Sequence, residues 1–453
     1  MAHDLETSHG GEHPDIARWR EAAQQDDFAR LDREGLRALM LDCGADDCGF
    51  VDVSDPAIAD QRAWIAALLP GARTLVSFVC RMNRDTVRTS VRSVANEEFH
   101  QTYDDVNHVA RRAVRRLEDM GIGAVNPAAA FPMEAQAYPA GMRVISHKPI
   151  AEAAGLGKMG LHRNVIHPRF GSFILLGTIV IDCGIESYSS PLDYSPCLDC
   201  KLCVAACPVE AIGADGTFNF SACYTHNYRE FMGGFVDWVH EVVEAEDADD
   251  YDARVSPGES VSMWQSLSFK PGYKAAYCLS VCPAGSDVLG PYVEDKIDYR
   301  KRFLDPLLAK PETVYVLKNS DAEESIPQRL KSKTVKVVDY NIPSGDPFSF
   351  LFGLTLTFQR RKARGLDAVL ALTIPDHGPM QATIRVRKSR IEIGLAVPEC
   401  PDASLTAEWP LLHRIFRDAL SMEDAVKAGA ELSGDVEKAQ AIRNCFPVYR
   451  PRG

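Results

Sequence analysis

The sequence predicts a chain of mixed α/β and α+β class, built as three successive units. Three observations carry this. Helical and apolar strand patterns alternate up to about residue 190. Seven cysteines then crowd into residues 191–290. Beyond about 310 a third pattern pairs apolar strands with a helix-rich end. A chain of 453 residues has room for about three domains at roughly 150 residues each.

Residues 1–26 read as a polar extension, with no basic n-region, apolar h-region or twin arginine in MAHDLETSHGGEHPD. The first unit spans 27–190. FARLDREGLRALMLDCGADDCGFVDV predicts a helix through Leu36, Leu39 and Met40, a glycine stop and a short strand. TLVSFVC (74–80) predicts a second buried strand, and 104–125 an amphipathic helix ending at Gly121. The unit closes with the glycine-rich turn AEAAGLGKMG (151–160) and a strand over 172–182. The cysteine-rich unit runs from 191 to 300, and its acidic stretch 243–258 reads as a solvated loop. Residues 301–344 read as a linker with connecting strands, and 345–453 as a small α+β domain.

Bulk properties exclude some classes. The net charge of −13, from 63 acidic and 50 basic residues, argues against a surface built to grip a phosphate backbone. The longest strongly apolar run, FGSFILLGTIVI at 170–181, falls short of the roughly 20 residues a bilayer span needs. With no export signal, thirteen cysteines imply thiols or metal ligands in a cytoplasmic protein rather than a disulfide framework.

The chemistry sits in SPCLDCKLCVAACP. Cys197, Cys200, Cys203 and Cys207-Pro208 follow C-x2-C-x2-C-x3-C-P, in which three cysteines wrap one iron–sulfur cluster and the fourth ligates another. A structural zinc would need only four ligands, usually in two separated pairs. The return half, KAAYCLSVCPAG, holds Cys278-x3-Cys282-Pro283, but Ala275 stands where a full second motif has cysteine. The crossover pattern assigns Cys197, Cys200, Cys203 and Cys282 to a first, four-iron cluster. It leaves Cys207, Cys223 and Cys278 for a second, of four or three irons, with one ligand unaccounted for. That ligand is absent, non-cysteine, solvent, or supplied from elsewhere in the chain, with Cys183 one candidate. Cys43, Cys48, Cys80, Cys183, Cys400 and Cys445 flank apolar segments and read as core residues.

An α/β unit, then ISHKPIAEAAGLGKMGLHRNVIHPRFGSFILLGTIVID, then C-x2-C-x2-C-x3-C-P…C…C-x3-C-P, resembles the reductive dehalogenase and epoxyqueuosine reductase superfamily over about 30–300. The resemblance implies a nitroreductase-like domain joined to a ferredoxin-like iron–sulfur domain, with electrons passing through two clusters to a corrinoid. Leu161 stands where dehalogenase-like members carry Arg and epoxyqueuosine reductases Lys, and Gly141 falls where the latter carry a proton-donating Asp. Tyr138, in AQAYPAG, lies where dehalogenase-like members place a proton-donating tyrosine, so it is the catalytic candidate.

Candidate cofactor-binding residues are Gly155, Gly157 and Gly160 of the turn, His147 and Lys148 before it, His162 and Arg163 after it, and Tyr224 and His226 beside Cys223. His162, His167 and His226 are candidate axial ligands. GLTLTFQRRKARGLDAVLALTI, MQATIRVRKSRIEIGLA and the ending ELSGDVEKA resemble a sterol-carrier-protein-2-like (SCP2-like) domain over about 345–450. That implies an apolar guest or a homodimer contact.

The expected function is therefore an oxidoreductase. Two clusters, served by a ferredoxin- or flavodoxin-type donor, feed a corrinoid (cobalamin) that reductively cleaves a bond in an apolar small molecule. Haem in place of corrinoid, an electron-transfer or cofactor-handling protein without its own substrate, and tRNA epoxyqueuosine reduction are the alternatives. The acidic charge disfavours nucleic acid and no membrane contact is expected.

Overall fold

The computed structural model describes Asp15 and residues 31–448, apart from 138, 140, 141, 143, 340–343, 379, 398, 399 and 419. The first domain begins with α1 (Arg33–Asp42), capped by the Asp32 carboxylate accepting from the Gly35 amide. Its buried stripe is Leu36, Leu39 and Met40, at helical spacing. Strands β1 (Asp47–Asp52) and β2 (Thr74–Arg81) precede α2 (Arg92–Glu118). The helix starts twelve residues before the expected 104. Ala95, Phe99 and Thr102 continue the buried stripe of Val106, Val109 and Ala113 through a segment whose other positions are mostly polar. Gly121, at φ 76°, follows the helix.

Next come β3 (Ala124–Val125), α3 (His147–Ala153), the hairpin strands β4 (Lys158–Met159) and β5 (Val165–Ile166), and β6 (Ile174–Ile181). The sheet order is β1-β2-β6-β3, with every neighbouring pair antiparallel. Alternation along β2 sends Val76, Phe78 and Cys80 to the face covered by α1 and α2. Leu75 and Val79 point to the face covered by α3. Gly177 pairs with Phe78 across β2 and β6, and a methyl there would lie 2.2 Å from the ring.

Asp47, at the start of β1, ties the sheet to the segment after β5. Arg37 donates to its Oδ1 at 2.7 Å, and His167 Nε2 donates to its Oδ2 at 3.1 Å. Burial works against the charge, yet these two donors hold the Asp47 carboxyl at about 2. Because the folded-state value lies below the unfolded value of about 3.9, the contribution is full above about pH 4 and lost as pH falls through about 2. Asp47→Asn should therefore flatten the acid limb of a stability-against-pH curve over that window. An unchanged limb would mean that other carboxylates carry it.

The cysteine-rich unit contains α4 (Leu202–Ala206), α5 (Phe220–Asn227), α6 (Met232–Glu244) and α7 (Tyr277–Ser280). The acidic stretch expected to be loop forms helices instead. Helix α6 runs to Glu244, Ala248–Arg254 is capped by Asp247, and Pro257–Phe269 opens with a Ser256/Glu259 capping box. Asp247, Asp249 and Asp250 stand at a helix start, where the dipole favours them. The segment expected as linker also belongs to this unit. Parallel strands β7 (Glu312–Leu317) and β8 (Lys333–Val338) flank α8 (Asp321–Arg329). Their Val314, Val316, Ile326 and Leu330 share one core with Cys203, Cys207 and Val281.

In the C-terminal domain, α9 (Pro347–Thr357) precedes β9 (Ala368–Ile374), β10 (Met380–Arg387), β11 (Arg390–Gly394) and β12 (Ala403–Thr406). It ends with α10 (Trp409–Arg417), β13 (Glu431–Gly434) and α11 (Val436–Asn444). The sheet runs β11-β10-β9-β12-β13, parallel only between β9 and β12. Phe350, Phe416 and Phe446 fill its core in edge-to-face contacts. Cys445 is buried there, whereas Cys400, read as core, is exposed. Gln359, fully buried, docks this domain onto the cysteine-rich unit. Its Oε1 accepts from the Asp321 amide at 2.9 Å and its Nε2 donates to Ser221 Oγ at 3.3 Å. Among the described residues no helix is long and apolar enough to cross a membrane.

Candidate functional site

Two sets of cysteines lie side by side. Cys197, Cys200, Cys203 and Cys282 line one narrow cavity with Leu161, His162 and Ile166. Backbone contact positions Cys282: a methyl on Gly171 would lie 2.0 Å from the Ala284 carbonyl, so the turn ahead of β6 presses directly on the chain after Cys282. Only glycine permits that approach. Cys207, Cys223 and Cys278 line a second, larger cavity of about 900 Å³. Burial pushes up the thiols of Cys200, Cys203, Cys207 and Cys278, that of Cys282 to about 11 and that of Cys223 to about 12. Iron entering either set displaces protons. Among the described residues no three His, Cys, Asp or Glu side chains converge as a single-ion site. A multi-iron cluster does not require that convergence, because each thiolate takes its own iron.

The large cavity collects most of the predicted residues. His147, Lys148, His162, Arg163, Tyr224 and His226 all line it. Lys148 Nζ donates to the Arg163 carbonyl at 2.6 Å and to Asn164 Oδ1 at 3.1 Å, which fixes the chain after the glycine turn. His147 Nε2 donates to the Ala128 carbonyl at 3.2 Å, and its Nδ1 accepts from Thr178 Oγ1 at 2.9 Å. Tyr224 stacks between Phe220 and Tyr228. Tyr138 lies outside the described residues, as does Gly141.

The glycine turn departs from expectation. Gly155, Gly157 and Gly160 line neither cavity. Gly155 takes φ +72° against the Ser190 carbonyl, and a methyl on Gly157 would lie 2.4 Å from the Ile166 carbonyl. A methyl on Gly160 would lie 2.5 Å from the Ile166 side chain. Gly157 and Gly160 let the β4–β5 hairpin close, while Gly155 packs against the chain at Ser190. Cys183 also lies away from both cysteine sets: its Sγ donates to the Gly184 carbonyl at 3.2 Å and it packs on the α1/α2 side of the sheet.

The three candidate axial histidines share one feature. Nδ1 of His162 accepts the Asn164 amide (3.2 Å), that of His167 accepts the Arg169 amide (3.1 Å), and that of His226 accepts the Tyr315 amide (3.3 Å). A backbone N–H occupies Nδ1 in each, so the neutral ring carries its proton on Nε2. None then offers an Nε2 lone pair to a metal. His167 spends its proton on Asp47. Nε2 of His162 and of His226 is buried without a hydrogen-bond partner among the described residues. Burial holds both imidazoles at about 4, with Lys148 adding to the effect at His162, so both are neutral donors at neutral pH.

Leu356, Phe358, Arg360, Arg390 and Ile391 of the C-terminal domain also line the cavity. Sequence reasoning missed this wall. Its one legible trace was the basic run FQRRKARG, whose Arg360 reaches back to Asp215 of the cysteine-rich unit at 3.0 Å.

No family model matches the chain. An epoxyqueuosine reductase of Lactococcus garvieae is 26% identical over 198 residues, covering 43% of this chain and 54% of the relative. Further curated relatives carry the same name. The solved epoxyqueuosine reductase of Streptococcus thermophilus is 15% identical, covering 60% of this chain and 75% of that one at a TM-score of 0.35. A UbiJ-SCP2 ubiquinone synthesis protein is 17% identical over 18% of this chain and 69% of its own, at a TM-score of 0.16. The chain spans about half the length of the first curated relative. Over that part of its length the chain is similar to epoxyqueuosine reductases.

Proposed function

We propose that the chain is an iron–sulfur oxidoreductase with two clusters and a corrinoid in line. Cys197, Cys200, Cys203 and Cys282 hold the first, four-iron cluster, and Cys207, Cys223 and Cys278 hold the second. The observation that carries the reading is juxtaposition: the second cysteine set forms part of the wall of the large cavity, beside the first set. Electrons reaching Cys207, Cys223 and Cys278 arrive where a cofactor would lie. A corrinoid bound there would supply the metal centre that reduces or attacks a substrate bond.

The chain's own residues bind and orient. His162 and His226 present buried, neutral N–H donors suited to carbonyl or phosphate groups of a cofactor. Lys148, pinned by Arg163 and Asn164, adds positive charge. Leu356, Phe358 and Ile391 close the cavity with apolar surface and exclude water. The donor set fits a cofactor that needs no imidazole ligand better than a haem held by a proximal histidine. A ferredoxin- or flavodoxin-type donor would approach Cys197 and Cys200, both partly exposed.

The apolar wall from the C-terminal domain favours a small apolar substrate, with that SCP2-like domain as its dock. A second reading, epoxyqueuosine reduction on tRNA, is favoured by the relatives' names and by Arg163, Arg360 and Arg390 in the cavity wall. The test begins with anaerobic protein offered hydroxocobalamin and haem in turn. Retention of the corrinoid through gel filtration is expected, weakened about tenfold in His162→Ala or His226→Ala. Retention of haem with a Soret band instead would overturn the cofactor assignment. Single-turnover assays against epoxyqueuosine tRNA and a panel of apolar organohalides then separate the two substrate readings.

A further inference from the structure

The two cysteine motifs repeat one backbone device. Before α4, Cys200 is followed by Lys201 in the left-handed region (φ 61°, ψ 14°). Before α7, Ala275 is followed by Ala276 in the same conformation (φ 57°, ψ 21°). Left-handed backbone is disfavoured for any residue other than glycine. Each short helix then carries one cysteine, Cys203 or Cys278, and each is followed by a Cys-Pro pair, Cys207-Pro208 or Cys282-Pro283. Position 275 is therefore the counterpart of Cys200, with a methyl group in place of a thiol.

Ala275 is 5% exposed, and its amide donates to Asn227 Oδ1 at 3.1 Å, so the turn is fixed. Ala275, Cys207, Cys223 and Cys278 all line the large cavity. Among the described residues the cavity lining offers no Cys beyond these three and no Glu, and its Asp215 is spent on Thr217 and Arg360. His226, one helical turn beyond Cys223 on α5, presents a protonated Nε2 and is a donor there. Tyr277, the next aromatic on the motif, spends its hydroxyl on Glu312 Oε2 at 2.6 Å.

We infer that the second cluster has one iron without a protein ligand, that this iron opens onto the large cavity at Ala275, and that it takes a small oxygen-donor ligand there. Water, a substrate hydroxyl and a carboxylate share the chemistry: an oxygen lone pair for the iron and acceptor capacity for the buried His226 N–H. The assignment rests on the two-cluster reading above.

The test uses full-length protein reconstituted anaerobically with iron and sulfide. Stoichiometric ferricyanide takes one electron from the second cluster, which releases its unligated iron as Fe²⁺ and leaves a three-iron cluster. The expected result is a three-iron paramagnetic signal and about one iron released per chain, recovered as about one labelled iron when ferrous ⁵⁷Fe is added under reduction. H₂¹⁷O should broaden the reduced cluster's signal. Ala275→Cys, which restores the thiolate, should abolish the release and the broadening. Wild-type protein with about eight irons that resists ferricyanide and shows no ¹⁷O broadening would overturn this inference while leaving two clusters standing, whether or not Ala275→Cys folds. About four irons in total would overturn the two-cluster reading itself.

Discussion

Cys200→Ser is expected to remove the first cluster and with it about half of the cluster iron, while the four-stranded and five-stranded sheets remain folded. Cys200 lines the narrow cavity with Cys197, Cys203 and Cys282, and it is partly exposed. The α/β core lies around β2 and β6, and the C-terminal core around β9 and β10; neither includes Cys200. A ligand loss should cost more than the roughly 10–100-fold typical of residues that merely support ligands. Electron delivery to the cavity should accordingly fall by at least about 100-fold, with an unchanged far-ultraviolet spectrum. The second set should keep its own signal, because Cys207, Cys223 and Cys278 surround a different space. Unchanged iron content in this variant would refute the ligand assignment.

Gly157→Ala should act on stability and site together. The added methyl would meet the Ile166 carbonyl at 2.4 Å and the Val165 Cγ1 at 2.7 Å, so the β4–β5 hairpin must open. Overpacking of this kind costs about 1–3 kcal/mol. His162 and Arg163 lie between those two strands and line the cavity, so cofactor retention should drop about tenfold or more as well. The discriminating readout is the melting temperature of cofactor-free protein. A packing role lowers it. A role confined to contacting a bound phosphate leaves it unchanged.

Some of this was legible in the sequence because the signals are local. The C-x2-C-x2-C-x3-C-P run and the returning C-x3-C-P are fixed spacings that can be read residue by residue, and the cysteines of the two motifs line two cavities. The strands at 74–81 and 174–181 are long apolar runs buried on both faces, so they read clearly. The misses have physical causes too. The first three turns of α2 are mostly polar, and because their buried positions include Arg92, Glu98 and Thr102, little apolar periodicity marks them. The acidic residues around 243–258 look like loop, yet Asp247, Asp249 and Asp250 open a helix. Glycine spacing in AEAAGLGKMG does not say whether the missing side chains make room for a ligand or for Ile166. Which ring nitrogen of His162, His167 or His226 carries the proton depends on backbone amides that only the fold brings there. The cavity wall from the C-terminal domain depends on Gln359 and Arg360 docking about 140 residues from their partners, beyond any local pattern.

The central claim is that two clusters stand next to each other, the second on the cavity wall. The most direct measurement is low-temperature paramagnetic resonance on fully reduced, anaerobically reconstituted protein, with iron and sulfide counted on the same sample. The account predicts about eight irons, or seven before ferrous iron is added, and a spectrum split by interaction between two neighbouring reduced clusters. Cys200→Ser should collapse that splitting to the signal of one isolated cluster. A single non-interacting signal in wild-type protein, with iron for one cluster alone, would contradict it.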